Sequence, residues 1–258
     1  MDIINEVVTL GRNNLKTLEN LFKVLDEFSF SNNELGITEL SNSLKLSKSV
    51  IHRILSTLEE NNYLYQNKDN DKYKIGHKFI KLGELAKENF QLKDIAEDEL
   101  LNLADKSGET ILVDVLNGEK SICVYKKECN KNIKYTCGIG EEVPLYAGAI
   151  GKVLLAYSSK DKQEEILGGN LIKHTRNTLV NKQKLKKELI QIKEQGFCIT
   201  YGEWNPGAIG IAAPVLNHNN KIIASVGILG PEFRMKDDIK KLTKECKTTA
   251  ELISKKIK

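Results

Sequence analysis

No apolar run in this chain approaches the roughly 18 residues that a membrane-crossing helix needs, which excludes a helical membrane protein. The amino-terminal stretch MDIINEVVTLGRNN lacks the basic start and apolar core of a signal peptide, so a cytoplasmic protein with no membrane partner is expected. Cysteine is sparse: Cys123, Cys129, Cys137, Cys198 and Cys246 are odd in number and never spaced C-x-x-C, which argues against disulfides and a zinc ribbon. The histidines, His52, His77, His174 and His218, show no helical H-x-x-x-H spacing, and neither a metal nor a cofactor is expected. Catalytic signatures are missing too. GAIGK (148–152) suggests a phosphate loop, but the pattern G-x-x-x-x-G-K-[ST] needs glycine where Tyr146 stands and a hydroxyl where Val153 stands. No G-x-S-x-G elbow or Ser, His and Asp set occurs, so the chain does not read as an enzyme. With 258 residues, 40% hydrophobic and 29% charged, it is an ordinary globular chain long enough for two domains.

Residues 38–76 carry, in order, the parts of a winged helix-turn-helix: two short apolar-periodic helices, a tight turn, and a charged two-strand wing. Leu40 and Leu44 fall on one face of the first helix, with Leu46 closing the turn. Ser47 is placed to cap the second helix, and Val50, Ile51, Ile54, Leu55 and Leu58 make its buried stripe. Lys48, Ser49, His52, Arg53 and Ser56 then face outward, a basic and hydroxylic surface suited to the major groove of double-stranded DNA. In the wing Tyr63 and Tyr65 flank Leu64, NKDND makes the tip, and Lys68, Lys72 and Lys74 are candidate phosphate contacts. The head as a whole is not basic, with nine basic against eleven acidic residues over 1–76. Non-specific affinity should be weak, and specific binding should rest on few contacts and on avidity.

The head spans 1–76. Ahead of its reading motif, Leu15, Leu18, Phe22 and Leu25 recur at helical spacing, beside Leu21 and Phe28, and predict the packing helix of a three-helix core. A linker helix over 77–91 follows, with Phe79, Leu82, Leu85 and Ala86 as an apolar stripe suited to dimerisation; its phase breaks near Phe90–Gln91. Residues 92–258 form the second domain, an α+β unit with an antiparallel sheet. TILVDVL and SICVYKK make a hairpin around Asn117–Gly118, and NIKYT reads as a further strand. Helices from about 150, over DKQEEIL and over 182–196 follow, then the strands FCITYGEW, AIGIAAPVL and KIIASVGIL and a final helix over about 236–256. At the start of the helix in YAGAIGKVLLA the amides of Ala149, Ile150 and Gly151 offer a seat for a carboxylate. The alternative is that Gly148 and Gly151 only pack helix on sheet.

PLYAGAIGKVLLA, HTRNTLVNKQKLKKELIQIKEQGF, GEWNPGAIGIAAPV and VGILGPEFRM, downstream of LSKSVIHRILSTLEENNYL and KYKIGHKFIKLG, resemble the IclR (isocitrate lyase regulator) family of bacterial transcription regulators over about residues 15–245. The resemblance implies a winged helix-turn-helix, a linker helix that helps dimerise, and a GAF-like effector-binding domain, in a homodimer or homotetramer on a palindromic operator. It places the pocket for a small-molecule effector on Ala149, Ile150, Thr200, Gly210, Ile211, Gly227 and Leu229, next to Gly151. Several members carry Asp, Cys or Ser at the positions of Thr200, Gly210, Gly227 and Leu229, and three of those are here glycine or leucine. An effector bulkier or more apolar than a small oxoacid is therefore expected, anchored by the backbone of Ala149–Gly151 and by Thr200; a pocket with no natural ligand is the other possibility. Glu203 matches a family glutamate and is expected to brace its strand. The alternative to a DNA-binding regulator is a sensor or adaptor of the same fold acting without specific DNA binding.

Overall fold

The computed structural model describes residues 15–29, 31–88, 92–135 and 137–257, which fall into two compact units divided at Asn89/Phe90. The break in helical phase expected at Phe90–Gln91 lies outside the described residues.

In the first unit, helix α1 (15–26) is followed by β1 (Glu34–Leu35), α2 (Ile37–Leu44), α3 (Lys48–Glu60), β2 (Leu64–Gln66), β3 (Tyr73–Ile75) and α4 (Lys78–Glu88). The wing is a three-stranded sheet in the order β1-β3-β2, one strand more than the sequence suggested. The core gathers Val24, Leu35, Leu40, Ile51, Ile54, Leu55, Leu58, Leu64 and Tyr73. Helix α1 packs with a different face from the one expected. Val24 is buried and Leu21, Leu25 and Phe28 pack against the core, whereas Leu15, Leu18 and Phe22 are 62%, 52% and 60% exposed. Both stripes have helical spacing, so periodicity alone could not choose between them.

The second unit is built on a six-stranded antiparallel sheet. Its strands are β4 (Thr110–Asn117), β5 (Lys120–Lys127), β6 (Glu142–Pro144), β7 (Cys198–Tyr201), β8 (Ala208–Leu216) and β9 (Ile222–Pro231), in the spatial order β6-β5-β4-β9-β8-β7. Alternation along the strands sends successive side chains to opposite faces, and helices cover both. Helix α5 (Leu92–Ser107) and α10 (Ile239–Lys256) bury one face through Leu100, Leu103, Leu242, Cys246, Ala250 and Ile253 against Ile111, Val113, Ile209 and Ile211. On the other face α6 (Ala149–Tyr157) lies against Leu112 and Ala212, backed by α7 (Lys160–Gly168) and α8 (Lys182–Gln195); a single turn, α9 (Glu232–Met235), precedes α10.

The segment NIKYT is not a strand over residues 132–135. Side chains hold its backbone instead of a ladder: Thr110 Oγ1 donates to the Tyr135 carbonyl at 3.2 Å, and Arg234 Nη1 to that of Ile133 at 2.8 Å. The strand that pairs with β5 is the later β6. Among the described residues no helix is long and apolar enough to cross a membrane, and no His, Cys, Asp and Glu cluster could hold a metal.

Candidate functional site

The reading helix α3 begins at Ser47, whose Oγ accepts from the Val50 amide at 3.4 Å and lies 3.0 Å from Ser49 Oγ. A hydroxyl there satisfies one of the amides that a helix start leaves unpaired. Ile51, Ile54, Leu55 and Leu58 are buried, which turns Lys48, Ser49, His52 and Arg53 into solvent; Ser56 is half-buried, 3.5 Å from His52 Nδ1. Of the wing lysines, Lys68 is exposed at the tip. Lys72 departs from the expectation of a free phosphate contact: its ammonium sits 2.7 Å from Glu39, and Lys74 is paired with Glu34. Paired exposed charges of this kind are worth little, so an incoming phosphate can compete for Lys72.

The turn that follows α3 is clamped to the start of α4. Tyr63 packs edge-on to Phe79 with ring centroids 5.3 Å apart, Lys78 Nζ lies 4.4 Å above the Tyr63 ring, and it donates to the Asn61 carbonyl at 3.2 Å. Gly76 makes the junction possible, because a Cβ there would come within 2.6 Å of the Asn62 carbonyl oxygen.

In the second unit a cavity of about 70 Å³ opens where α6 meets the sheet. Ala149, Ile150, Gly151, Thr200, Gly210 and Leu229 all line it. Gly227 lies beneath Ile150 and not at the cavity: a Cβ there would stand 2.5 Å from Ile150 Cδ1. Ile211 is turned away, since on β8 it alternates with Gly210 and Ala212 and packs with Ile209 and Ala213 in the core under α5 and α10. Motif matching placed the strand correctly but could not tell which face an odd-numbered neighbour takes. Trp204 forms a wall, its ring 4.5 Å from that of His174, while the Tyr146 hydroxyl, 3.2 Å from His174 Nε2, stands behind.

At the mouth of α6 the amides of Ala149, Ile150 and Gly151 carry no acceptor among the described residues, and the Gly148 amide donates to Glu203 Oε2 at 3.4 Å. Glu203 also lines the cavity and meets Lys152 Nζ at 2.6 Å through Oε1; Glu188 lies 2.9 Å from the same ammonium. Burial lifts the Glu203 carboxyl above its ordinary range even beside Lys152, whose own proton the two carboxylates hold more tightly. Thr175 and Thr178 tie down the turn that carries Glu203, donating at 2.6 Å to the carbonyls of Gly202 and Glu203 respectively.

Two features escaped motif reading. Lys152 is fully buried in a helix of otherwise apolar and small residues, a position where a lysine needs partners. Asp114 sits on the same strand face as Leu112, inside an apolar run, and is buried at 4% exposure. Its Oδ2 accepts from the buried Ser121 hydroxyl at 2.7 Å, Oδ1 has no partner among the described residues, and both side chains line the cavity. Burial pushes the Asp114 carboxyl up to about 6; the Ser121 hydrogen bond opposes that rise and the Glu141 charge adds to it.

Residues 17–68 match the model of the IclR helix-turn-helix domain, and residues 85–255 that of the bacterial transcriptional regulator IclR C-terminal domain. The chain is 30% identical over 224 residues to the transcriptional regulator XynR of Escherichia coli, covering 86% of this chain and 89% of that protein. It is 33% identical over 206 residues to the regulator KdgR of Escherichia coli, covering 80% and 78%. Among solved structures, an IclR-type regulator from a Silicibacter species superposes with a TM-score of 0.84 at 19% identity, covering 93% of this chain and 95% of that one. An IclR homologue from Microbacterium hydrocarbonoxydans, complexed with 4-hydroxybenzoate, superposes with a TM-score of 0.77 at 18% identity, covering 93% and 98%.

Proposed function

The chain belongs to the IclR family of bacterial transcriptional regulators, and on that premise we propose that it is a cytoplasmic, non-enzymatic homo-oligomer whose hold on a palindromic operator is set by a small carboxylic acid seated at the mouth of α6. The observation that carries this reading is the cavity itself, which is lined by Ala149, Ile150, Gly151, Thr200, Gly210 and Leu229, the first three with helix-start amides that carry no acceptor among the described residues. Such amides and the helix dipole favour an anion by several tenths of a kcal/mol or more. Ile150, Leu112 and Leu229 favour an apolar body behind it. The 4-hydroxybenzoate held by the Microbacterium homologue has that make-up, an acid on an aromatic ring.

DNA is read by α3, with Arg53 and Lys48 on its exposed face. Assembly is assigned to a second copy covering α4, where Leu82 and Leu85 are each 45% exposed and Ile80 is 63% exposed. Two heads so joined would meet half-sites about one helical turn of DNA, roughly 34 Å, apart or a multiple of it. Control requires that the acid bind the DNA-competent and incompetent states unequally, because equal affinity shifts nothing. The test combines fluorescence anisotropy on the DNA upstream of the protein's own coding region with thermal-shift screening of acids. Specific binding, changed by an apolar or aromatic acid, supports the reading. Stabilisation by two- or three-carbon oxoacids alone overturns the effector class, and absence of specific binding favours a sensor or adaptor.

A further inference from the structure

The carboxylate seat explains one part of the cavity and leaves another unexplained. Register places Thr110, Leu229 and Gly210 in one row across the sheet, Leu112, Gly227 and Ala212 in a second, and Asp114 with Ser225 in a third. Ala149 lies over the first row: a Cβ on Gly210 would stand 3.4 Å from the Ala149 Cβ and 3.3 Å from Thr200 Oγ1. Asp114 is four residues further along β4, roughly 13 Å at the rise of an extended strand. Opposite it the β4–β5 ladder shifts register between Val113 and Asp114, with the extra residue, Val124, on β5, while pairing with β9 stays regular, so Asp114 keeps the sheet face of Leu112. Asp114 is thus 96% buried and lines the cavity, with one carboxylate oxygen satisfied by Ser121 and the other buried without a partner among the described residues. A structural aspartate would be expected to use both oxygens, since an unpaired buried acceptor carries its full desolvation cost.

We propose that Asp114 and Ser121 form a second subsite at the end of the cavity remote from the α6 amides, which recognises a hydrogen-bond donor on the effector. The ligand class is therefore an acid whose apolar body ends in a hydroxyl or amino group. This rests on the effector reading above and deepens it. The donor meets Asp114 Oδ1, and Ser121 holds the other oxygen in place. An acid lacking the donor leaves Oδ1 unpaired and is rejected for that reason, the asymmetry by which polar sites discriminate more sharply than apolar ones.

Calorimetry and thermal shift on the full chain would compare pentanoate and hexanoate with their ω-hydroxy and ω-amino forms. The donor-bearing acids should bind about tenfold tighter than the parents, the scale of one hydrogen bond to a charged acceptor. Asp114→Leu, which matches the shape and removes the acceptor, should reverse that order by tightening the parent acids and weakening the others. Ser121→Ala should reduce the preference while leaving the fold intact, and gives the readout if the leucine variant does not fold. Equal affinities for parent and donor-bearing acids in the wild type, or a preference unchanged in both variants, overturns the subsite and leaves the effector reading standing. Failure of every acid to bind the wild type overturns both.

Discussion

The Lys152 ammonium, on a side chain with no exposure, lies 2.6 Å from one oxygen of Glu203, whose second oxygen takes the Gly148 amide at 3.4 Å. One carboxylate thus spans the buried lysine and the first turn of α6, so the charge inside the helix fixes the geometry at its mouth. Lys152→Met should cost about 3–5 kcal/mol, because it strands Glu203 without its cation. Urea unfolding measures this. Adding Glu203→Gln should recover part of the loss; a double variant whose loss equals the sum of the Lys152→Met and Glu203→Gln losses would show that the pair is not energetically coupled.

Asp114 imposes a pH dependence of defined sign. Its carboxyl is pushed from 3.8 to about 6, so the unfolded chain releases this proton before the folded one does. Its contribution to stability is complete below about pH 4, falls as pH rises to about 6, and stays lost above. Glu141 raises the group, Ser121 lowers it, and no cation is among the causes of its shift. Asp114→Asn should therefore stabilise the ligand-free protein at pH 7.5 by about 1–3 kcal/mol and have little effect near pH 4. Unfolding midpoints of both proteins across that range are the check.

Arg53 is exposed on α3 while the core residues around it are buried, so its removal should spare the fold. Arg53→Ala should weaken operator binding by about 1–3 kcal/mol per half-site. Wild-type affinity in the variant at moderate salt would move the reading surface elsewhere.

If α4 joins two copies as proposed, Leu82→Asp should lower dimerisation and operator binding together, since avidity between two weak heads would then supply much of the affinity. Sedimentation reports the first and anisotropy the second. A wild-type protein monomeric at micromolar concentration would contradict the assignment.

Gly227 is the floor on which Ile150 rests, and any Cβ there must displace the isoleucine. Gly227→Ser should push Ile150 into the cavity and weaken acid binding several-fold, with DNA affinity in the absence of ligand unchanged. Equal ligand affinity in the variant would mean that Ile150 has another place to go.

The reading helix was legible because its signals are local: Ser47 at the cap, four buried positions at helical spacing, and outward residues fixed by elimination. The helices and most strands of the second unit were legible for the same reason. What sequence could not supply was choice between equivalent patterns and contact at a distance. Two apolar stripes share α1, and only tertiary packing selects Val24 over Phe22. Ile211 was drawn into the site by its neighbours in a motif, though its side chain belongs to the opposite face. Asp114 and Lys152 gain meaning only from partners 7, 36 and 51 positions away, Ser121, Glu188 and Glu203.

The contacts of Tyr63 with Phe79 and Lys78, closed over Gly76, join the turn that follows α3 to the start of α4. A turn of α4 would pull directly on the segment that ends α3, because Tyr63 and Asn61 are held by Phe79 and Lys78. If two copies bind DNA as proposed, the angle between their heads would set whether they meet the turns of the duplex in phase, and a residue larger than glycine at position 76 should weaken operator binding by forcing that junction open.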